Sequence, residues 1–385
     1  MGRRVSGSYR TTVTAGEKIR AFVPAPLPPE PAVLIDVQRQ KRLEQATVAL
    51  GRLDGISAFL PDPQLFLYSY VRREAVLSSQ IEGTQSSLSD LLVFELDDAP
   101  GAPFDDVVEV SNYVAALQHG MARLHDGFPL SNRLLREIHG RLMQSGRGSE
   151  KSPGEYRTSQ NWIGGTRPGN AHYVPPPPHE VGECMAALER FLHDDRTPVL
   201  VKAALVHVQF ESIHPFLDGN GRLGRLLIAL VLRQGGLLGE PLLYLSLHFK
   251  RHRRLYYDLL DRVRSAGDWE AWLDFFLEGV ADTAASAVTT SRRLVALFEV
   301  DINRVAKAGR GAASALRVLA ALRSRPVLSI THLRDGSGMT FPTASKAMDC
   351  LIDLGIAKEL TGKARNRVFS YAAYLAALQD GGEPL

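Results

Sequence analysis

The feature that most limits how this chain can fold lies near its middle. An apolar run from Thr197 to Ile213 reads as a helix, Pro215 stops it, the turn Asp218-Gly219-Asn220-Gly221 follows, and Asn220 opens a second apolar helix. Helices joined through glycines in this way aim the N–H groups of the second helix's first turn at the loop, and a positive helix terminus of that kind suits an anion. Phosphate is the natural guest. Arg222 and Arg225 lie about one turn apart and add charge-assisted contacts to further phosphate oxygens. Asp218 supplies a hard oxygen for Mg²⁺, which travels with phosphates. His214, at the rim, is the side chain able to take a proton near neutral pH.

Other readings of the same residues meet obstacles. Gly219, Gly221 and Gly224 satisfy the G-x-G-x-x-G spacing of dinucleotide sites, but that motif follows a strand, whereas here an apolar helix and a proline come first. Glu211 and His214 form one Glu-x-x-His pair of the di-iron bundle kind, with no second copy in the chain. A pair of capped core helices with incidental charges explains any one of these residues, but not their concentration in one short loop.

The rest of the chain sets the context. At roughly 150 residues per domain, 385 residues imply two to three domains, and 45% hydrophobic with 23% charged residues excludes a disordered or fibrous chain. The net charge is only +3, yet residues 310–385 alone carry +4, so a local basic module at the C-terminus stays open while a polyanion-binding surface over the whole molecule does not. Cys184 and Cys350 cannot build a disulfide framework or a thiolate zinc site, and a cytoplasmic location fits them best. The longest apolar stretch, Leu226 to Leu232, falls far short of the ~20 residues of a membrane span, and no secretory signal is recognisable. Met1-Gly2-Arg3-Arg4-Val5-Ser6 meets the loose N-myristoylation pattern, but nothing else suggests a lipid anchor.

Prolines at 24, 26, 28, 29 and 31 make residues 1 to about 35 an extended arm with few buried positions. Helical patterning starts near Ile35, a second helix is expected from Asp62 to Glu82, and Ala99 to Pro103 reads as a linker. Two amphipathic helices fill residues 106–145, followed by a hairpin of two short strands, Gln160 to Gly164 and Ala171 to Val174. Past residue 308, helices at Ala312–Leu322, Ser329–Arg334 and Pro342–Leu354 precede strands at Ile356–Leu360 and Arg367–Tyr371, the order of a winged helix-turn-helix. The domains expected are residues 1–100, 101–300 and 308–385.

His214-Pro215-Phe216-x-Asp218-Gly219-Asn220-Gly221-Arg222-x-x-Arg225 matches the complete Fic motif, H-x-F-x-[DE]-G-N-G-R-x-x-R, and the sequence resembles the Fic family over roughly residues 20 to 375. That resemblance implies a mainly α fold, with a Fic-type helical core, a β-hairpin flap and a C-terminal winged helix. It also implies transfer of AMP from ATP to a hydroxyl side chain of a protein. By the same resemblance, His214 deprotonates the target hydroxyl and Asp218 holds Mg²⁺. Gly219, Asn220, Gly221, Arg222, Gly224 and Arg225 form the nucleotide site, with Tyr256 and Tyr257 near the adenine and Phe216 anchoring the loop. Asn170, Ala171, His172 and Tyr173 are candidates to dock the target segment by strand addition, a plain structural hairpin being the alternative for each.

A second match lies upstream, where Ser78-Ser79-Gln80-Ile81-Glu82-Gly83 fits the family's inhibitory pattern [ST]-x-x-x-E-[GN]. Ser78 and Glu82, four apart, are expected on one helix face, and the resemblance pairs Glu82 with Arg225 against the γ-phosphate. Self-modification and a homodimer are compatible with this reading. Two alternatives remain open: a transcriptional regulator whose residues 308–385 bind DNA while the core senses nucleotide, and a Fic enzyme that removes AMP or transfers another nucleotide.

Overall fold

Serine caps and first-turn prolines decide where many of the helices begin. Ser87 accepts from the Asp90 N–H while the Asp90 carboxylate accepts from the Ser87 N–H, a reciprocal pair that opens a helix at Leu88. The Ser131 and Ser329 hydroxyls accept from the Leu134 and His332 N–H groups. Pro178 sits in a first turn, where its missing N–H costs nothing.

The structure, a computed structural model, describes residues 5–14, 16–59, 63–96, 104–362 and 366–379. In chain order it contains β1 (Gly7–Thr14), β2 (Glu17–Pro24), α1 (Val37–Phe59), α2 (Pro63–Ile81), α3 (Leu88–Phe94), α4 (Phe104–His125) and α5 (Asn132–Leu142). These are followed by α6 (Pro178–Leu192), α7 (Val199–Ile213), α8 (Asn220–Gln234), α9 (Ser246–Arg251), α10 (Arg253–Ala266) and α11 (Trp269–Ala306). The last elements are α12 (Ala312–Ser324), β3 (Val327–Ser329), α13 (Ile330–Ser337), α14 (Phe341–Asp353), β4 (Ala357–Glu359), β5 (Val368–Tyr371) and α15 (Ala372–Gln379). The fold is mainly helical. The expected linker Ala99–Pro103, the helix start at Asp62 and residues 1–4 of the N-terminal pattern lie outside the described residues.

Two compact units emerge, neither contiguous in sequence. The first draws on residues 1–51, 112–239 and 248–284. Its centre is α7, buried on every side from Leu200 to Ile213, the pattern of a helix that carries a core all around it. Trp272 donates its indole N–H to the Ala204 carbonyl (2.9 Å), and α8 packs along α7.

The expected extended arm is instead an antiparallel hairpin, β1 with β2, in register from Gly7↔Pro24 to Thr14↔Glu17. The prolines begin only at the end of β2, so they leave its ladder intact. Ile19, Ala21 and Phe22 are buried, and the Phe22 N–H donates to the Val174 carbonyl (2.9 Å). The expected hairpin at 160–174 shrinks to one bridge, Ile163 with Tyr173, closed by a 3₁₀ turn at Pro168–Asn170. Gly164 and Gly165 turn to positive φ (69° and 73°), and the run Pro175–Pro178 has no donors to extend a ladder.

The second unit draws on residues 52–111, 240–247 and 285–385. Within it α14 packs on α12 and α13, and β3-β5-β4 form an antiparallel sheet with Leu328↔Phe369 and Glu359↔Phe369 in register. Buried tyrosines tie its helices together: Tyr70 donates to the Ala287 carbonyl (3.0 Å), Ser69 and Tyr374 share a hydroxyl bond (2.9 Å), and Tyr371 donates to Asp301 (2.7 Å).

Candidate active site: the loop between α7 and α8

The last turn of α7 closes with the His214 N–H on the Phe210 carbonyl (2.9 Å), and His214 itself adopts the left-handed conformation, φ 49° and ψ 60°. A side chain with a Cβ pays roughly 1–2 kcal/mol for that geometry, so something must hold it. Arg157 does. Its Nε donates to the His214 carbonyl (2.9 Å), its backbone N–H to the Pro215 carbonyl (2.9 Å) and its Nη2 to the Pro176 carbonyl (2.6 Å). A buried guanidinium at the carbonyl end of α7 also complements the helix dipole. Burial brings its pKa down to about 10, which leaves it cationic at neutral pH.

After Pro215 the chain is pinned from below. Phe216 is fully buried with the His139 ring stacked on it, centroids 3.7 Å apart and planes within 7°. The Asn220 side chain spans the loop: its Oδ1 accepts from the Phe216 N–H (2.9 Å) and its Nδ2 donates to the Phe216 carbonyl (2.8 Å). That amide is therefore spent on shaping the loop, and what Asn220 can offer an anion is its backbone N–H, in the first turn of α8 where intrahelical acceptors are lacking. Gly219 precedes that turn at φ 74°, where a Cβ would lie 2.8 Å from Met143 Sδ.

Asp218 sits at the mouth, partly exposed. Its Oδ1 accepts from the Gly219 N–H (2.7 Å) and lies 3.8 Å from Arg222 Nη2, while Lys151 Nζ is 3.0 Å from Oδ2. Burial pushes this carboxyl up, but Lys151, the Gly219 N–H and Arg222 together outweigh it and hold the pKa below the usual aspartate value. Arg222 and Arg225 are both buried on α8.

Gly224 has a packing role. A Cβ there would come within 2.4 Å of Glu211 Oε1 and 3.3 Å of the Phe210 ring, so a larger residue would require the Glu211 side chain to move and the α7–α8 contact to give. Its carbonyl accepts from His207 Nδ1 (2.9 Å), and His207 Nε2 meets the Tyr256 hydroxyl (2.9 Å). Tyr256 is buried and Tyr257 exposed. Burial pushes the His207 pKa down to about 3, in keeping with a neutral ring donating at one nitrogen and accepting at the other.

The hairpin residues divide. Asn170 accepts from the Thr166 and Arg167 N–H groups (both 3.0 Å) and shapes the turn; Ala171 packs on the Ile19, Ala21 and Val174 cluster. His172 points outward, 4.0 Å from Asp261. Tyr173 is buried, with its hydroxyl on the Ser212 carbonyl (2.5 Å) and its backbone paired to Ile163. In the second unit, Ser78 is buried on α2, which ends at Ile81. Glu82 follows in an exposed turn, its N–H on the Ser79 carbonyl (3.0 Å), before Gly83 at φ 103°. The helix tightens to i→i−3 bonds here, so Glu82 leaves the helix in which the sequence had expected it.

Sequence reasoning missed His139, Lys151 and Arg157. His139 Nδ1 accepts from the Gly154 N–H (2.8 Å) and Nε2 donates to the Asp218 carbonyl (3.0 Å), and burial pushes its pKa down to about 4. A signal was present: His139 stands four after Leu135 and three before Leu142, on the apolar face of α5.

A partly exposed carboxylate, a helix N-terminus, two buried arginines and a histidine, all set by one loop between two core helices, form a donor set suited to an anion such as phosphate. Residues 40–122 match the family model described as Fic/DOC family N-terminal, and residues 129–232 match the Fic/DOC family model itself. The chain therefore carries a Fic/DOC-family domain over residues 129–232, with that family's N-terminal region before it. Relatives named Protein adenylyltransferase Fic from Culex quinquefasciatus and Aedes aegypti are each 30% identical over 253 residues, 63% of this chain and 46% of theirs. The chain thus spans about half the length of these curated relatives. Among solved structures, a Fic family protein from Desulfovibrio desulfuricans G20 is similar with a TM-score of 0.56 and 21% identity, over 86% of this chain and 95% of that one. Fic-1 from C. elegans is similar with a TM-score of 0.50 and 22% identity, over 68% and 73%. At such identities the likeness speaks to the fold.

Proposed function

We propose that this chain is a protein adenylyltransferase that moves AMP from ATP to a hydroxyl side chain of a protein, itself included among the candidate targets. The observation that carries the reading is His214 held in a left-handed turn by Arg157, directly before a loop that opens the N-terminus of α8 beside Asp218, Arg222 and Arg225. The names of the curated relatives support the same reaction. In it, His214 takes the proton of the attacking hydroxyl, the hydroxyl oxygen bonds to the α-phosphorus, the bond to the β-phosphate breaks, and pyrophosphate leaves. The N–H groups at the start of α8 receive charge that grows on the α-phosphate, and the arginines hold the remaining phosphates, which is positioning and electrostatics more than covalent chemistry.

The donor set fits Mg²⁺. Among the described residues no cluster of three or more His, Cys, Asp or Glu side chains forms, so Asp218 would be the protein's carboxylate and phosphates and water would complete the shell, the coordination Mg²⁺ favours. When bound, the ion would neutralise phosphate charge. Incubation with ATP labelled at the α-phosphate should place label on protein, label at the γ-phosphate should not, and His214→Ala should abolish transfer with ATP affinity unchanged. Wild-type transfer by His214→Ala would remove the base assignment; the absence of α-label on any protein would remove the reaction.

For residues 308–385 we read α12, α13, α14 and the β3-β5-β4 sheet as a winged helix used chiefly for protein contact. Arg367, the basic residue that precedes β5, lies 3.9 Å from Asp349 and 3.7 Å from Glu359, so its charge is already shared with two carboxylates. Lys363 and Arg365 lie outside the described residues.

A further inference from the structure

Lys151 touches Asp218, the carboxylate that the proposed reaction needs for a cation. Asp218 Oδ1 is engaged by the Gly219 N–H at 2.7 Å, whereas Oδ2 takes the Lys151 ammonium at 3.0 Å. The loop that brings Lys151 there is shaped for close approach. Gly146, Gly148 and Gly154 adopt positive φ (78°, 82° and 80°), as does Ser152 (52°). The Lys151 N–H bonds the Gly148 carbonyl at 3.0 Å, and a Cβ on Gly148 would lie 3.0 Å from Asp218 Oδ2 and 2.7 Å from Met143 Cε. The far end of the same loop is fastened by the Gly154 N–H on His139, whose other nitrogen holds the Asp218 carbonyl. One histidine therefore ties together the segment that carries Lys151 and the residue that Lys151 meets.

We propose that Lys151 is the resident counter-ion of Asp218 and that it sets the affinity of the phosphate site for a divalent cation: metal entry and Lys151 departure are one exchange at Oδ2. This rests on the reading of Asp218 as the metal carboxylate. The exchange is feasible because both side chains are partly exposed, 43% for Lys151 and 30% for Asp218. A pair this open holds weakly enough to be displaced, yet strongly enough to tune binding. No bond is made or broken beyond the ion pair and the coordination. The released ammonium stays on a short tether beside the loop, placed to meet a phosphate oxygen instead.

The test uses Mn²⁺ as the probe, with the full chain saturated by a non-hydrolysable ATP analogue and free Mn²⁺ read by electron paramagnetic resonance. Lys151→Gln should tighten Mn²⁺ by about three- to tenfold, from the strength of an exposed ion pair and the loss of a like charge near the ion. Lys151→Arg should stay near wild type. In an Asp218→Asn background Mn²⁺ binding should be weak, and Lys151→Gln should add nothing, which isolates the coupling to that pair. Unchanged or weaker binding in Lys151→Gln, or tightening that persists without the carboxylate, would overturn the proposal. The readout involves no AMP transfer, so a chain that fails to label protein would defeat the proposed reaction while leaving this result to stand or fall by itself.

Discussion

At the residue scale, the loop depends on groups that never need to meet a nucleotide. His139 is a positioning residue: it stacks on Phe216, supports the Asp218 carbonyl and receives the Gly154 N–H. Replacing it by alanine leaves a part-buried carbonyl and a part-buried N–H without this partner, each costing up to roughly 1–3 kcal/mol, and opens a gap against Phe216. Urea titration of His139→Ala should show a loss of roughly 2–5 kcal/mol. If the residue also positions chemistry, turnover at saturating ATP should fall more than ATP affinity does; equal falls would mark a role in stability alone. In Gly224→Ala the added Cβ would meet Glu211 Oε1, the movable end of a side chain, and the Phe210 ring at 3.3 Å, so the same titration should show a loss at the low end of the about 1–3 kcal/mol of overpacking. The residues of the motif were legible in the sequence because their types are rare together, whereas Arg157 and Lys151 were not. Their partners lie 57 and 67 positions away, and no local spacing announces a contact of that range.

At the element scale, what could be read was whatever repeats. The helices α5, α8 and α14 follow the 3.6-residue apolar period, α7 is an unbroken apolar run, and all four lie close to where the sequence placed them. The β1–β2 hairpin was hidden by the prolines that follow it, and the bridge at Ile163–Tyr173 was overestimated because the glycines and prolines that mark a turn also cut short the strands beside it. The end of α2 shows the same limit, since a four-residue spacing says nothing about whether the final turn is still α-helical. For the inhibitory segment we retain the motif's assignment as a proposal, in which Glu82 restrains transfer. Glu82→Gly should then raise labelling of the chain by itself about tenfold or more, a change equivalent to ~1.4 kcal/mol per factor of ten. An unchanged rate would make the segment an ordinary helix end. For the C-terminal elements, titration of the full chain with duplex DNA at low salt should show no binding tighter than ~10⁻⁴ M, the weak end of non-specific affinity. Binding that weakens with salt along a log–log slope of about −0.9 per neutralised phosphate would instead make the exposed face carrying Thr343 and Lys346 a DNA surface.

At the scale of the whole molecule, the two units differ in what acid should do to them. The first holds His139, His207 and His248, all buried, with pKa values that burial pushes down to about 4, 3 and 4. Each is neutral when folded and takes up a proton near pH 6.5 when unfolded. Between that value and the folded pKa the unfolded state binds more protons, so stability falls as the pH drops through this window and is level above it. One depressed histidine contributes roughly 3 kcal/mol across a fall of two to three pH units, and three of them acting in one core would be enough to unfold it. The second unit contains a single histidine, His332, partly exposed beside Ser329. Peptide-resolved hydrogen exchange, corrected for the intrinsic pH dependence of the rate, should show α5, α7 and α8 losing protection between pH 6.5 and 4.5 well before α12 and α14. His207→Gln, which cannot take up a proton, should shift the loss in α7 to lower pH even though the variant starts from lower stability. Loss of protection at the same pH in both groups of helices would mean that acid acts through other charges.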